Sequence, residues 1–119
     1  MYQIEFAIFK YYKDIMSDEY MNIGILFHNL NTGKCDFRYI SDFKQFQEFD
    51  EDADANFVKT YLSGIKQQVE NINANNHKTF SISGFTKIYV NEFRFSDIIK
   101  MEVSEKENYI DNICNMYLK

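Results

Sequence analysis

Glu19-Tyr20-Met21-Asn22-Ile23-Gly24-Ile25-Leu26-Phe27 decides how this chain folds. It is the longest apolar run in the sequence. Three residues in it, Glu19, Asn22 and Gly24, answer to something besides packing. The density of large apolar side chains predicts a central strand over about residues 20–29. Strict alternation puts Met21, Ile23, Ile25 and Phe27 on one face and Tyr20, Asn22, Gly24, Leu26 and His28 on the other. The irregular pair has an architectural reading. Asn22 bonds a neighbouring backbone group or turn, and Gly24 leaves room for an aromatic side chain to cross the strand.

Upstream, residues 2–12 alternate as well. Tyr2, Ile4, Phe6 and Ile8 form a fully apolar face, and Gln3, Glu5, Ala7, Phe9 and Tyr11 a mixed one. Downstream, Asn29–Lys34 is turn chemistry with Gly33 suited to positive φ. A third strand over 35–40 then points Cys35, Phe37 and Tyr39 inward, making a hairpin with the second. Asp42-Phe43-Lys44-Gln45 has the form of a capping box and predicts a helical turn carrying Phe43, Phe46 and Phe49. Phe57, Tyr61, Ile65, Val69 and Ile72, widened by Val58 and Leu62, recur at helical spacing and predict the main helix. Gly64 inside it costs roughly 1 kcal/mol against Ala, so a close approach to the sheet or to another helix is expected there. Short strands are expected at 86–91 and 98–103. Ser104-Glu105-Lys106-Glu107 reads as a second capping box opening a terminal helix. Strands and helices in blocks give an α+β fold, a mainly antiparallel sheet with helices packed on one face.

The chain has 119 residues, no proline, 18% aromatic residues and a net charge of −5. That size predicts one domain, with a core that needs no disulfide or metal. No apolar run reaches the roughly 18 residues of a membrane span, and the first residues do not form a signal peptide. A cytoplasmic location with two reduced thiols, Cys35 and Cys114, is therefore expected. The acidic balance, with Arg38 and Arg94 the only arginines, disfavours direct nucleic-acid binding through phosphates. It suits a basic partner surface instead.

Catalytic motifs are missing from the sequence. There is no phosphate-binding glycine loop and no nucleophile elbow. His28 and His77 are too isolated to suggest a metal site, and no cofactor is implied. Glu48, Asp50, Glu51, Asp52 and Asp54 form the one carboxylate cluster. It lacks the ligand spacing and glycine of a calcium loop. It reads as a helix entrance or as an anionic partner-binding face. Glu19, Asn22 and His28 are the candidates for a small-ligand or catalytic site at the strand mouth. Tyr11, Tyr12 and Tyr20 are the aromatics expected to surface at strand ends, where a cluster would mark a partner site or a base-stacking platform.

Glu19-Tyr20-Met21-Asn22-Ile23-Gly24-Ile25 resembles the signature of a bacterial family, Domain of Unknown Function 3037. That signature runs Glu, Phe or Tyr, any residue, Asn, Ile or Val, Gly, Val or Ile. The resemblance extends over residues 2–72, through the aromatic Tyr2–Tyr12 stretch and Phe49-Asp50 with Asp52-Ala53-Asp54. It implies no established activity and no catalytic residue. It implies an accessory protein, often encoded near a kinase related to the HipA persistence toxin. The expected function is thus binding of a protein partner, with such a kinase or a nucleic-acid enzyme as candidates. In the sharpest version a bacterial or phage-borne inhibitor imitates nucleic acid with its acidic segment.

Overall fold

A computed structural model describes residues 1–14, 16, 18–74, 80–87, 89 and 92–118. The elements run β1 (Tyr2–Tyr12), β2 (Tyr20–Asn29), β3 (Cys35–Tyr39), α1 (Lys44–Phe49), α2 (Ala55–Ala74), α3 (Ile82–Thr86), β4 (Phe93–Phe95), β5 (Ile99–Val103) and α4 (Tyr109–Tyr117). All strand pairings are antiparallel. The order across the sheet is β3-β2-β1-β4, with β5 also paired to β1. β1 is long enough to hold two short partners end to end on one side, β5 along Tyr2–Phe6 and β4 along Phe9–Tyr11. Ser96 bridges the junction. Its N–H donates to Ile8 O at 2.8 Å, and its Oγ accepts from Ile8 N–H at 2.9 Å.

The α+β class and the antiparallel sheet agree with the sequence. The expectation of helices on one face needs correction, because both faces are covered. Ala7, Phe9 and Tyr11 of β1 face α1, α2 and α3, whereas Ile4, Phe6 and Ile8 face α4 through Ile113. A strand with large apolar side chains on both faces can be buried only between two layers. Phe9 shows the density of the first layer. Its ring lies 4.6–6.3 Å, centroid to centroid, from those of Phe37, Tyr61, Tyr89, Phe93 and Phe95.

β2 departs from strict alternation. Opposite β1, the register passes from Phe9↔Gly24 to Lys10↔Asn22, which leaves Ile23 as an extra residue. Two residues of a bulge share one side. Met21 and Ile23 therefore join Leu26 on the α2 face, while Ile25 and Phe27 stay under α4. The single-face reading of Met21, Ile23, Ile25 and Phe27 is thus corrected by one inserted residue. Gly24 serves as expected. A Cβ there would lie 2.8 Å from Phe37 Cζ, because the Phe37 ring crosses the strand at this point.

Other local expectations shift by a few residues. Gly33 takes φ 80° in the β2–β3 turn, as its chemistry predicts. Asp42 accepts from Lys44 N–H at 2.9 Å, an Asx turn and not the expected capping box. The buried stripe of α2 is Val58, Leu62, Ile65 and Val69, with Phe57 out in solvent. Gly64 meets nothing within 4 Å, so the expected close approach there does not occur. In the stretch expected as a strand at 86–91, Thr86 closes α3 and the next strand is β4; residues 88, 90 and 91 lie outside the described residues. Glu107 accepts from Ser104 N–H at 2.8 Å as a capping box would, yet α4 begins later, capped by Asn108.

Gly24→Ala is expected to destabilise the chain by about 1–3 kcal/mol, since an added methyl must displace a packed ring. Chemical denaturation of Gly24→Ala, Phe37→Leu and the double variant checks this. A double variant less destabilised than the sum of the singles identifies the ring as the obstacle.

Candidate functional site

The acidic segment folds as a stapled turn between α1 and α2. Asp50 is buried, and its Oδ2 accepts from the Tyr11 hydroxyl at 2.7 Å. Its Oδ1 accepts from Asp52 N–H at 3.2 Å. The Gln47 side chain donates into the carbonyls of Asp50, Glu51 and Ala53 at 3.0–3.1 Å. Asp54 Oδ1 accepts from Phe57 N–H at 3.1 Å, which caps the start of α2. Glu48, Glu51, Asp52 and Asp54 remain exposed, so Asp50 alone of the five turns its carboxylate inward. Burial, followed by the hydrogen bond to Asp50 and its charge, pushes the Tyr11 hydroxyl well above the ordinary tyrosine range. Tyr11, expected at the surface, is instead part of the core.

The structure separates the second group of candidates. Asn22 pairs with Lys10 on the α4 face, where its Nδ2 donates to Tyr117 O at 3.2 Å and its Oδ1 is buried without a partner. His28 lies six residues along β2 on the α2 face, roughly 20 Å away at strand rise. Glu19 is exposed just before β2. One small ligand cannot touch both Asn22 and His28.

His28 belongs to a row that only the strand register brings together. Glu5, His28 and Cys35 are cross-strand neighbours on β1, β2 and β3. His28 Nδ1 lies 3.0 Å from Glu5 Oε1, and the ring packs edge-on against Phe80 at 5.1 Å. The order resembles nucleophile, base and orienting acid, but the thiol is not activated. Burial first, then the nearby Asp36 and Glu5 carboxylates, push Cys35 up to about 11. A nucleophilic cysteine needs the opposite shift. Among the described residues no group of three or more His, Cys, Asp or Glu side chains is placed to hold a metal ion. No helix among them is long and apolar enough to cross a membrane.

The other end of the sheet carries an interleaved set of rings and cations. Past the C-terminal end of α4, the face of β1 that holds Ile8 continues as Lys10 and Tyr12. Tyr12 pairs with Tyr20, and their rings lie 5.5 Å apart. Lys10 Nζ sits 4.1 Å from the Tyr20 ring centre, and the Arg94 guanidinium 4.0 Å from that of Tyr12. Tyr20 is 45% exposed. Tyr12 and Tyr20 thus surface together, as the sequence predicts for strand ends. The acidic turn stands at this same end, but Asp50 meets Tyr11 on the opposite face.

A family model described as "Protein of unknown function (DUF3037)" matches residues 6–92. No significant match exists among the curated proteins or the solved structures.

Tyr11→Phe is expected to cost about 1–3 kcal/mol, because the buried Asp50 carboxylate loses its hydroxyl donor; thermal unfolding measures it. Cys35 is expected to resist iodoacetamide at pH 8 in the folded chain, while the half-buried Cys114 reacts first. Mass spectrometry of the labelled peptides checks the order. The raised Cys35 value also gives a stability term that is fully present below the ordinary value of 9.0. That term is lost as pH rises through about 11.

Proposed function

The chain belongs to the DUF3037 family, and on that premise we propose that it acts by binding another protein, as a small cytoplasmic accessory or inhibitor protein. One observation carries this reading. The Tyr12–Tyr20 pair, flanked by Lys10 and Arg94, is a surface of the composition that interfaces favour. Tyrosine rings offer large contact area at low entropic cost, and guanidinium groups are over-represented among energetically dominant contacts.

The polar side chains elsewhere support the same reading. Asp50 holds Tyr11, Asn22 ties β2 to α4, and His28 is paired with Glu5. Nucleic-acid mimicry by the acidic segment would rest on Glu48, Glu51, Asp52 and Asp54, since Asp50 is turned inward. A kinase of the HipA-related type or a nucleic-acid enzyme is the partner class this reading favours. The rim also favours a second reading, because paired rings between cations are what a single-stranded nucleic acid stacks on. The net charge of −5 opposes it.

Affinity purification from the native cell, quantified by mass spectrometry, tests the proposal. A specific protein is expected with the wild type and is lost about tenfold or more with Tyr12→Ala/Tyr20→Ala, the scale at which interface anchors act. Glu51→Lys/Asp52→Lys separates the mimicry version, which requires loss with that variant too. A wild-type chain that retains no protein above background, yet binds a single-stranded oligonucleotide in a salt-dependent way, would hand the rim to the second reading.

A further inference from the structure

β3 is the outermost strand on its side of the sheet. The ladder decides which of its backbone groups face outward. Asn29 N–H donates to Lys34 O at 2.9 Å and Ile40 N–H to Ile23 O at 3.1 Å. Hydrogen-bonding direction alternates along a strand. Residues 34, 36, 38 and 40 therefore turn their amides to β2, and Cys35, Phe37 and Tyr39 turn theirs to the open edge. At Cys35 the edge is met by Asn73 of α2. Its Oδ1 accepts from Cys35 N–H at 2.8 Å, and its Nδ2 donates to Cys35 O. One side-chain amide thus makes both hydrogen bonds that a neighbouring antiparallel strand would make. The N–H and C=O of Phe37 and Tyr39 have no hydrogen-bond partner among the described residues.

Tyr39 is half-buried and borders open space, whereas Phe37 is only 2% exposed and sits at the floor of a smaller cavity. A groove of about 570 Å³ runs between Tyr39, Ile40 and Phe43 on one side and Lys59, Thr60 and Ser63 of α2 on the other. A separate cavity of about 160 Å³ lies beside Phe37, lined also by Asp36, Arg38, Lys66, Glu70 and Asn73. Lys59 is the one charged residue lining the larger groove.

We propose that this edge receives an extended segment of a partner protein as an added strand beside β3, with an acidic side chain of that segment set against Lys59. The proposal rests on the partner-binding reading and adds to it a contact of defined geometry, on a surface separate from the tyrosine rim. Main-chain hydrogen bonds to Phe37 and Tyr39 supply the affinity, and the groove selects the side chains. A second copy of this chain fits poorly. The two-fold pairing that uses the Phe37 and Tyr39 amides sets Arg38 directly against Arg38 of the other copy, and like charges directly opposite are destabilising. Asn73 prevents the register from sliding toward Cys35.

The test uses a displayed library of short linear peptides selected on the full chain. Selected peptides should carry Asp or Glu and slow hydrogen exchange at the Phe37 and Tyr39 amides by about tenfold or more. Tyr39→Pro removes one outward N–H and no bond to β2, a change that edge strands tolerate, and should abolish binding. Lys59→Glu reverses the charge of the groove, with loss of the ammonium that lies 5.1 Å from the Phe43 ring centre, and should weaken binding about tenfold. A library that yields no binder overturns the proposal, as do peptides that bind while both amides exchange as in the free chain. Protection that grows with protein concentration and needs no peptide also overturns it, in favour of self-pairing. Repeating the selection on Tyr12→Ala/Tyr20→Ala keeps the two surfaces apart. Amide protection that survives there leaves the edge standing if the rim fails, and a partner captured without edge protection leaves only the rim.

Discussion

The ring of Phe37 lying across Gly24 is the constraint on which the rest of this architecture depends. A side chain at position 24 would meet that ring at 2.8 Å, so the Phe37 ring can lie across β2 only over a glycine. The same place holds the extra residue of β2. Because of it, Ile23 and Met21 face the α2 layer while Ile25 and Phe27 face α4. One short stretch thereby feeds both cores. Without the inserted residue, the end of β2 would turn Met21 and Ile23 away from the aromatic layer around Phe9.

Sheets buried on both faces have to accommodate whatever polar side chains their strands carry. Several of them meet a partner far along the chain. Tyr11 meets Asp50, Glu5 meets His28, Asn22 meets a carbonyl at the end of α4, and Asn73 meets the edge of β3. Buried polar groups are tolerated when paired and costly when not. These pairs fix how α1, α2 and α4 sit on the sheet. They also explain why the residue types that first suggest chemistry are drawn into architecture. The tyrosine rim and the β3 edge are the surfaces on which the proposals above rest.

Much of this was legible in the residues themselves. Period 2 in β1 gave the strand and its two faces, and Gly33 announced its turn. Helical spacing located α2 and its buried Val58, Leu62, Ile65 and Val69, although Phe57 lies in solvent. The bulge was hidden because an inserted residue changes the phase of a strand without changing its composition. Alternation read straight through it assigns Ile23 to the wrong layer. The inward turn of Asp50 was equally hidden, since its cause is a hydroxyl 39 positions away. The row Glu5, His28, Cys35 exists only once three strands are in register. Gly64 misleads for a different reason. A glycine in a helix suggests crowding, yet open space surrounds this one, and nothing in the structure explains it.

The treatment of the β3 edge is what separates a binding surface from a defect. Edge strands are usually blunted by proline, by a bulge, by inward-pointing charge or by a covering element. Among the described residues no proline or bulge interrupts β3, and no strand pairs with its outer side, although α2 flanks Phe37 through Lys66, Glu70 and Asn73. The chain instead closes one position, Cys35, with the amide of Asn73, and leaves Phe37 at the floor of a small cavity and Tyr39 beside an open groove. Arg38 lies between those two, and its side chain points to the α4 face, 3.9 Å from Asp111. It opposes itself in a symmetric pair but not a foreign segment with a neutral or acidic residue at that position. Aggregation through like edges is thus disfavoured by charge, while addition of a different strand is not. An edge of this composition is compatible with the proposed added strand and disfavours self-pairing.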